Sequence, residues 1–178
     1  MVHHAALLLL FAFAGSQPPA EQTLKVASLP RDGQLLVSIK LDQGLTEEVR
    51  AAIRSGLPVS FVYNVDLRRS SVAWLDRTLA SAVVKATVRY DNLTRRYHVS
   101  RTLDGRMDRA ELTDREDVAW AWLTTQFDRL PLFRSETLEA NAEYYLRVRA
   151  HSLPRNASFV WPWKGADAVG LSKFTLVR

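Results

Sequence analysis

Beyond its first 14 residues the chain has two histidines, His98 and His151, and no cysteine, while nineteen carboxylates are spread along it. Metal ligation needs imidazole, thiolate or carboxylate groups at recurring spacing. The two histidines are far apart, and neither has a carboxylate at helical spacing from it, so each reads as an ordinary strand residue. Asp104-Gly105 with Asp108 and Glu111 resembles a calcium loop only loosely, and a hairpin accounts for the Asp-Gly without a metal. Nucleophilic catalysis lacks both a thiol and a Gly-x-Ser-x-Gly elbow. The seven glycines are scattered singly, so the chain has no glycine-rich phosphate loop. Asp114, Glu116 and Asp117 crowd what reads as a helix start, where the helix dipole favours negative charge, and that structural reason suffices for them. The residues point to no catalytic site, no metal site and no cofactor, and no enzyme class is supported.

One cluster has the chemistry of recognition. Phe159, Trp161 and Trp163 stand beside Lys164, and large aromatics supply contact area at little entropic cost. These four residues are the candidate binding site, for a partner protein, a glycan or a lipid tail. The plainer reading makes the segment a terminal strand, with Phe159 and Trp161 in the core and Pro162 marking its end at an edge.

The elements that would position such groups are mostly strands. Leu57, Val59, Phe61, Tyr63, Val65 and Leu67 alternate with polar residues or proline, Val62 being the exception. The same two-residue rhythm returns at Leu35–Leu41, Ala82–Tyr90 and Tyr144–Ala150. Such alternation marks strands with one dry and one wet face, as in antiparallel sheets. Asp32-Gly33 and Asp104-Gly105 fit tight hairpins, the first joining Leu24–Leu29 to Leu35–Leu41. Asp91-Asn92-Leu93-Thr94 fits a four-residue loop, so residues 82 to 112 read as a three-stranded meander. Thr46-Glu47-Glu48 opens a helix that buries Val49, Ala52 and Ile53 and stops at Gly56. Thr113 with Glu116 has capping-box spacing ahead of a second helix carrying Trp122 to the sheet. The fold class is mainly β (α+β): an antiparallel sheet or sandwich, immunoglobulin-like in size, with about two short helices packed on it.

The ends and the charge set the compartment. Ala5 to Ala14 is an unbroken apolar run, too short to cross a bilayer but the length of a signal-peptide core, and Ala12-Phe13-Ala14 supplies a cleavage pattern. The expected organisation is a cleaved signal peptide over 1–14, a flexible lead-in over 15–22 and a single β-rich domain over 23–178, with no transmembrane segment in the mature chain. The net charge of +5 comes mostly from arginines, which the sequence disperses, with doublets only at Arg68-Arg69 and Arg95-Arg96. Dispersal reads as a solvated basic surface, and export argues against nucleic acid as a partner.

Several segments together carry a resemblance. They are Gly56–Phe61, Trp74 with Asp76, Val88–Val99, and Tyr145–Arg149 followed by Leu153-Pro154. In this order they resemble a bacterial family of exported proteins called domain of unknown function 4390, over nearly the whole mature chain. The resemblance implies a periplasmic envelope protein and brings no catalytic residues. The leading expectation is a non-enzymatic module that binds another envelope protein, by an edge strand or by the aromatic cluster. One alternative is a carrier enclosing an apolar small molecule or lipid in a cavity lined by Phe61, Tyr63, Tyr90 or Trp122. The other is a hydrolase of wall polymers, which would need two carboxylates roughly 5–9.5 Å apart across one cleft.

Overall fold

Two antiparallel sheets face each other in the computed structural model, which describes residues 23–70, 77–154 and 168–177. The three-stranded sheet holds β1 (Thr23–Arg31), β2 (Gln34–Asp42) and β7 (Phe127–Arg134) in that order. The six-stranded sheet is built from β3 (Val59–Arg69), β4 (Arg77–Asp91), β5 (Arg96–Leu103), β6 (Arg106–Thr113), β8 (Glu143–Pro154) and β9 (Ala168–Thr175). Its order across the sheet is β6-β5-β4-β3-β8-β9. Two helices, α1 (Glu47–Arg54) and α2 (Glu116–Thr124), pack into the same core as the sheets. The mainly β reading with two short helices holds. Residues 1–22, Trp74, Asp76 and the Phe159, Trp161, Trp163 and Lys164 candidate all lie outside the described residues.

The alternation sorts each strand as expected. Leu35, Val37, Ile39 and Leu41 of β2 point inward, as do Phe61, Tyr63, Val65 and Leu67 of β3, and all are buried. Ala82, Val84, Ala86 and Val88 do the same on β4, and Tyr144, Leu146, Val148 and Ala150 on β8. Both Asp-Gly pairs make two-residue hairpins with positive φ at each position, 51° and 74° at Asp32-Gly33 and 48° and 78° at Asp104-Gly105. That backbone twist matches the twist of the strands it joins. Thr46 caps α1, its hydroxyl accepting the Val49 N–H, and Val49, Ala52 and Ile53 are its buried face.

Three boundaries differ from the sequence reading. Leu57 is 44% exposed and precedes the strand, because its N–H still bonds the Ala52 carbonyl at 3.1 Å to close α1. Thr113 does not cap α2. It is still paired with Tyr97 at the end of β6, its hydroxyl accepting the Arg115 N–H, and Arg115 becomes the N-cap residue without a side-chain bond. The loop after β4 runs from Asn92 to Arg95, one residue later than expected, because Asp91 pairs with Arg96. Asp91 instead directs the turn, its carboxylate accepting the Leu93 and Thr94 N–H groups.

At the centre of the sandwich Tyr63 meets Phe127 of β7, ring centres 4.8 Å apart, and donates its hydroxyl hydrogen to the Leu123 carbonyl near the end of α2. Burial pushes the Tyr63 phenol well above its ordinary pKa. Trp122 is 1% exposed, with the guanidinium groups of Arg101 and Arg109 lying 5.9 and 5.5 Å from its ring. The two sheets approach most closely where β9 meets β1, and Ser28 and Ser172 hydrogen-bond across that seam at 3.1 Å.

Candidate functional site

The residues with chemical potential are kept apart by the fold. His98 is on β5 and His151 on β8, with β4 and β3 between them, which separates their strands by about 14 Å at ordinary strand spacing. His98 lies 3.8 Å from Asp91, whose carboxylate is held below its usual pKa by the two turn N–H groups. The acidic residues around α2 face arginines: Glu116 bonds Arg54 at 2.9 Å and Asp117 bonds Arg115 at 2.5 Å. Asp108 likewise bonds Arg101, at 2.6 Å. Among the described residues no cluster of three or more His, Cys, Asp or Glu side chains is placed to hold a metal ion. Phe61, Tyr63 and Trp122, three of the residues that the carrier reading places around a cavity, are at most 3% exposed and belong to the packed core. Tyr90, half-buried, rests on Tyr97 with ring centres 4.7 Å apart.

One edge of the large sheet is unpaired among the described residues. Among the described residues strand β6 pairs only with β5, and every residue from Arg106 to Leu112 is exposed. A strand in this position presents a row of N–H and C=O groups to a new partner. A bulge between Arg101 and Thr102 on β5 sets Asp108 out of register, and the Arg101–Asp108 ion pair pins it there. Beyond the bulge the register is regular from Arg109 to Thr113. In this stretch Arg109 and Glu111 form an ion pair on the inward side of the strand, Arg109 being the residue that lies on Trp122. Ala110 and Leu112 point the other way and help line a shallow groove of about 510 Å³ with Arg89, His98 and Ser100.

The outer face of the large sheet carries the second feature, and it gathers charge that the sequence scatters. The register aligns Val83, Asn64, Arg149 and Val169 in one row across β4, β3, β8 and β9. Ser81, Asp66, Arg147 and Leu171 form the next row, followed by Arg68, Tyr145 and Lys173. Among the described residues of these three rows, the four cations Arg68, Arg147, Arg149 and Lys173 therefore share the area with the single carboxylate Asp66. Asp66 is engaged by Ser81 at 2.7 Å and by Arg149 at 3.2 Å, and Arg68 lies over the Tyr145 ring. Among the described residues, Arg147 and Lys173 are in ion-pair contact with no carboxylate. Farther along β3, Ser60 and Val62 also point outward and are buried.

Sequence reasoning missed this convergence. The alternation of Arg147 and Arg149 with buried Leu146, Val148 and Ala150 already places both arginines outward. Nothing in the order of residues says that β3 and β9 flank them, so the patch exists only in the register.

A family model described as Domain of unknown function (DUF4390) matches residues 22–156, which span β1 to β8 and bear out the resemblance read from the sequence. No curated protein matches the chain, and no solved structure does.

Proposed function

The chain belongs to the DUF4390 family, and on that premise we propose that it is an exported, non-enzymatic module of the bacterial envelope that binds a protein partner by adding the partner's strand to β6. The carrying observation is β6 itself, an outermost strand exposed on both faces whose second hydrogen-bonding edge pairs with nothing among the described residues. Strand addition draws affinity from main-chain bonds and specificity from alternate side chains. Arg109 and Glu111 on one side call for a partner residue of either charge, whereas Ala110 and Leu112 on the other favour apolar ones. The bulge at Asp108 and the neighbouring charges guard the edge against indiscriminate pairing. Export to the periplasm is supported by the apolar run Ala5–Ala14 with its Ala-Phe-Ala pattern and by the family resemblance.

The test uses neighbouring prolines. Consecutive residues of a strand direct their N–H groups to opposite sides, so of Ala110→Pro and Glu111→Pro one removes a bond to β5 and the other removes only an outward donor. Wild type and both variants are cross-linked in the envelope of the native host, and their melting temperatures are measured in parallel. The expected result is one stoichiometric protein partner, lost in the variant that melts like wild type. Retention of the partner by that variant would rule out strand addition. Absence of any protein partner for wild type would sink the binding-module reading itself.

A further inference from the structure

The basic patch on the outer face of the six-stranded sheet is separated from β6 by β5 and has its own chemistry. Three rows and four strands give it a footprint of about 14 by 14 Å at ordinary sheet spacings. Arg68, Arg147 and Arg149 occupy its middle on β3 and β8, and Lys173 lies on β9. Exposed aliphatics flank them on both sides, Val83 (39%) on β4, and Val169 (51%) and Leu171 (61%) on β9. Leu171 is paired directly with Arg147 and Val169 directly with Arg149, so cation and aliphatic side chains stand shoulder to shoulder. Among the described residues no helix or strand crosses this face, because both helices bury their apolar sides in the core between the sheets.

We propose that this patch seats the protein on a phospholipid surface carrying anionic headgroups. Guanidinium groups pair with phosphate through two parallel hydrogen bonds, and long aliphatic side chains at the rim insert shallowly among the headgroups. Charge complementarity selects an anionic surface, since Arg147 and Lys173 have no carboxylate of their own among the described residues. The spread of the cations over three strands selects a lipid surface over an acidic protein. A protein interface concentrates its energy in an aromatic or arginine anchor filling a pocket, whereas here the cations are spread over several strands and the one aromatic, Tyr145, lies against Arg68. Headgroups move laterally and need no matching register. The proposal is independent of strand addition at β6, because no residue is shared between the two surfaces.

Co-sedimentation of the full chain with vesicles tests it, using phosphatidylcholine alone and phosphatidylcholine with about one third phosphatidylglycerol. The apolar N-terminal run would bind both vesicles alike, so the readout is the difference between them. We expect preferential binding to the anionic vesicles, abolished at about 0.5 M salt, where the screening length is only a few ångströms. Each surface cation contributes roughly a factor of five, so Arg147→Ala with Lys173→Ala should weaken that preference about 25-fold. A control with the same charge loss on the other sheet, Arg129→Ala with Arg134→Ala, should lower it far less. Equal loss in the two double variants would reduce the effect to net charge and overturn the proposal. Equal binding to both vesicle types would overturn it too, as would capture of an acidic protein through the patch without preference for the anionic vesicles.

Discussion

Replacing Gly170 by alanine should destabilise the fold, although alanine ordinarily suits a strand better than glycine. At a site with room, Gly→Ala stabilises by about 0.4–1 kcal/mol, because the unfolded chain has fewer conformations to lose. Gly170 has no room. A Cβ there would lie 2.6 Å from Val26 Cγ2, 2.7 Å from the Leu24 carbonyl oxygen and 3.1 Å from Leu24 Cγ. Val26 can rotate away, but the carbonyl belongs to the backbone of β1, so the whole seam between the sheets must open. Overpacking of this kind costs about 1–3 kcal/mol. The net loss is then about 1–2 kcal/mol, a fall in melting temperature of roughly 2–8 °C for a domain of this size. Thermal unfolding followed by circular dichroism measures it. A double-mutant cycle with Val26→Ala separates the two contacts: it should recover part of the loss, about 0.5–1 kcal/mol, and leave the part due to the carbonyl. Gly170→Ala as stable as wild type would refute the reasoning and mean that β1 and β9 are free to separate. The outcome bears on function, since Val169 and Leu171 on either side of this glycine belong to the proposed membrane-facing patch.

Tyr63→Phe removes the only donor that the side chain brings to the Leu123 carbonyl, deep between the sheets, and should cost about 1–3 kcal/mol; an unchanged denaturant midpoint would show that the carbonyl finds another donor. Asp42, paired with Lys25 and Lys40, and Asp91, bonded to the Leu93 and Thr94 N–H groups, both have folded-state pKa values below the ordinary aspartate value. The unfolded chain therefore takes up these protons first, and the stability they contribute is whole above about pH 4 and lost as the pH falls through the folded values. Asp91→Asn, which keeps an acceptor in the turn, should flatten part of that acid loss in melting curves; a variant tracking wild type throughout the acid range would remove Asp91 from the account.

Local rules made much of the architecture legible. Where one face of a strand is dry and the other wet, the period of two appears in the residues themselves, as at Leu35–Leu41, Phe61–Leu67 and Tyr144–Ala150. The Asp-Gly turns declared themselves because few residues other than glycine, aspartate and asparagine enter positive φ at low cost. The α1 cap at Thr46 was equally local. Two strands escaped for identifiable reasons. In β7 the inward residues Phe127, Leu130 and Phe133 recur every third position, because register shifts break the pairing with β2 and Arg129 takes a φ of 49°. In β9 the pattern is inverted: Gly170 and Ser172 turn inward because β1 lies too close for larger groups, and Val169 and Leu171 are left outside.

The sequence by itself determined most of the elements and the turns, since each of these depends on residues close together along the chain. Both candidate surfaces were decided by tertiary structure. Which strand is left at the edge of a sheet depends on strand order, and β6 is outermost because the meander ends there while β3 pairs instead with β8, whose paired residues lie 75 to 95 positions farther along the chain. The basic patch depends on register. A slip of one residue between β3 and β8 would turn Arg147 and Arg149 toward the core, so burial of Leu146, Val148 and Ala150 is what holds the arginines together on the outside.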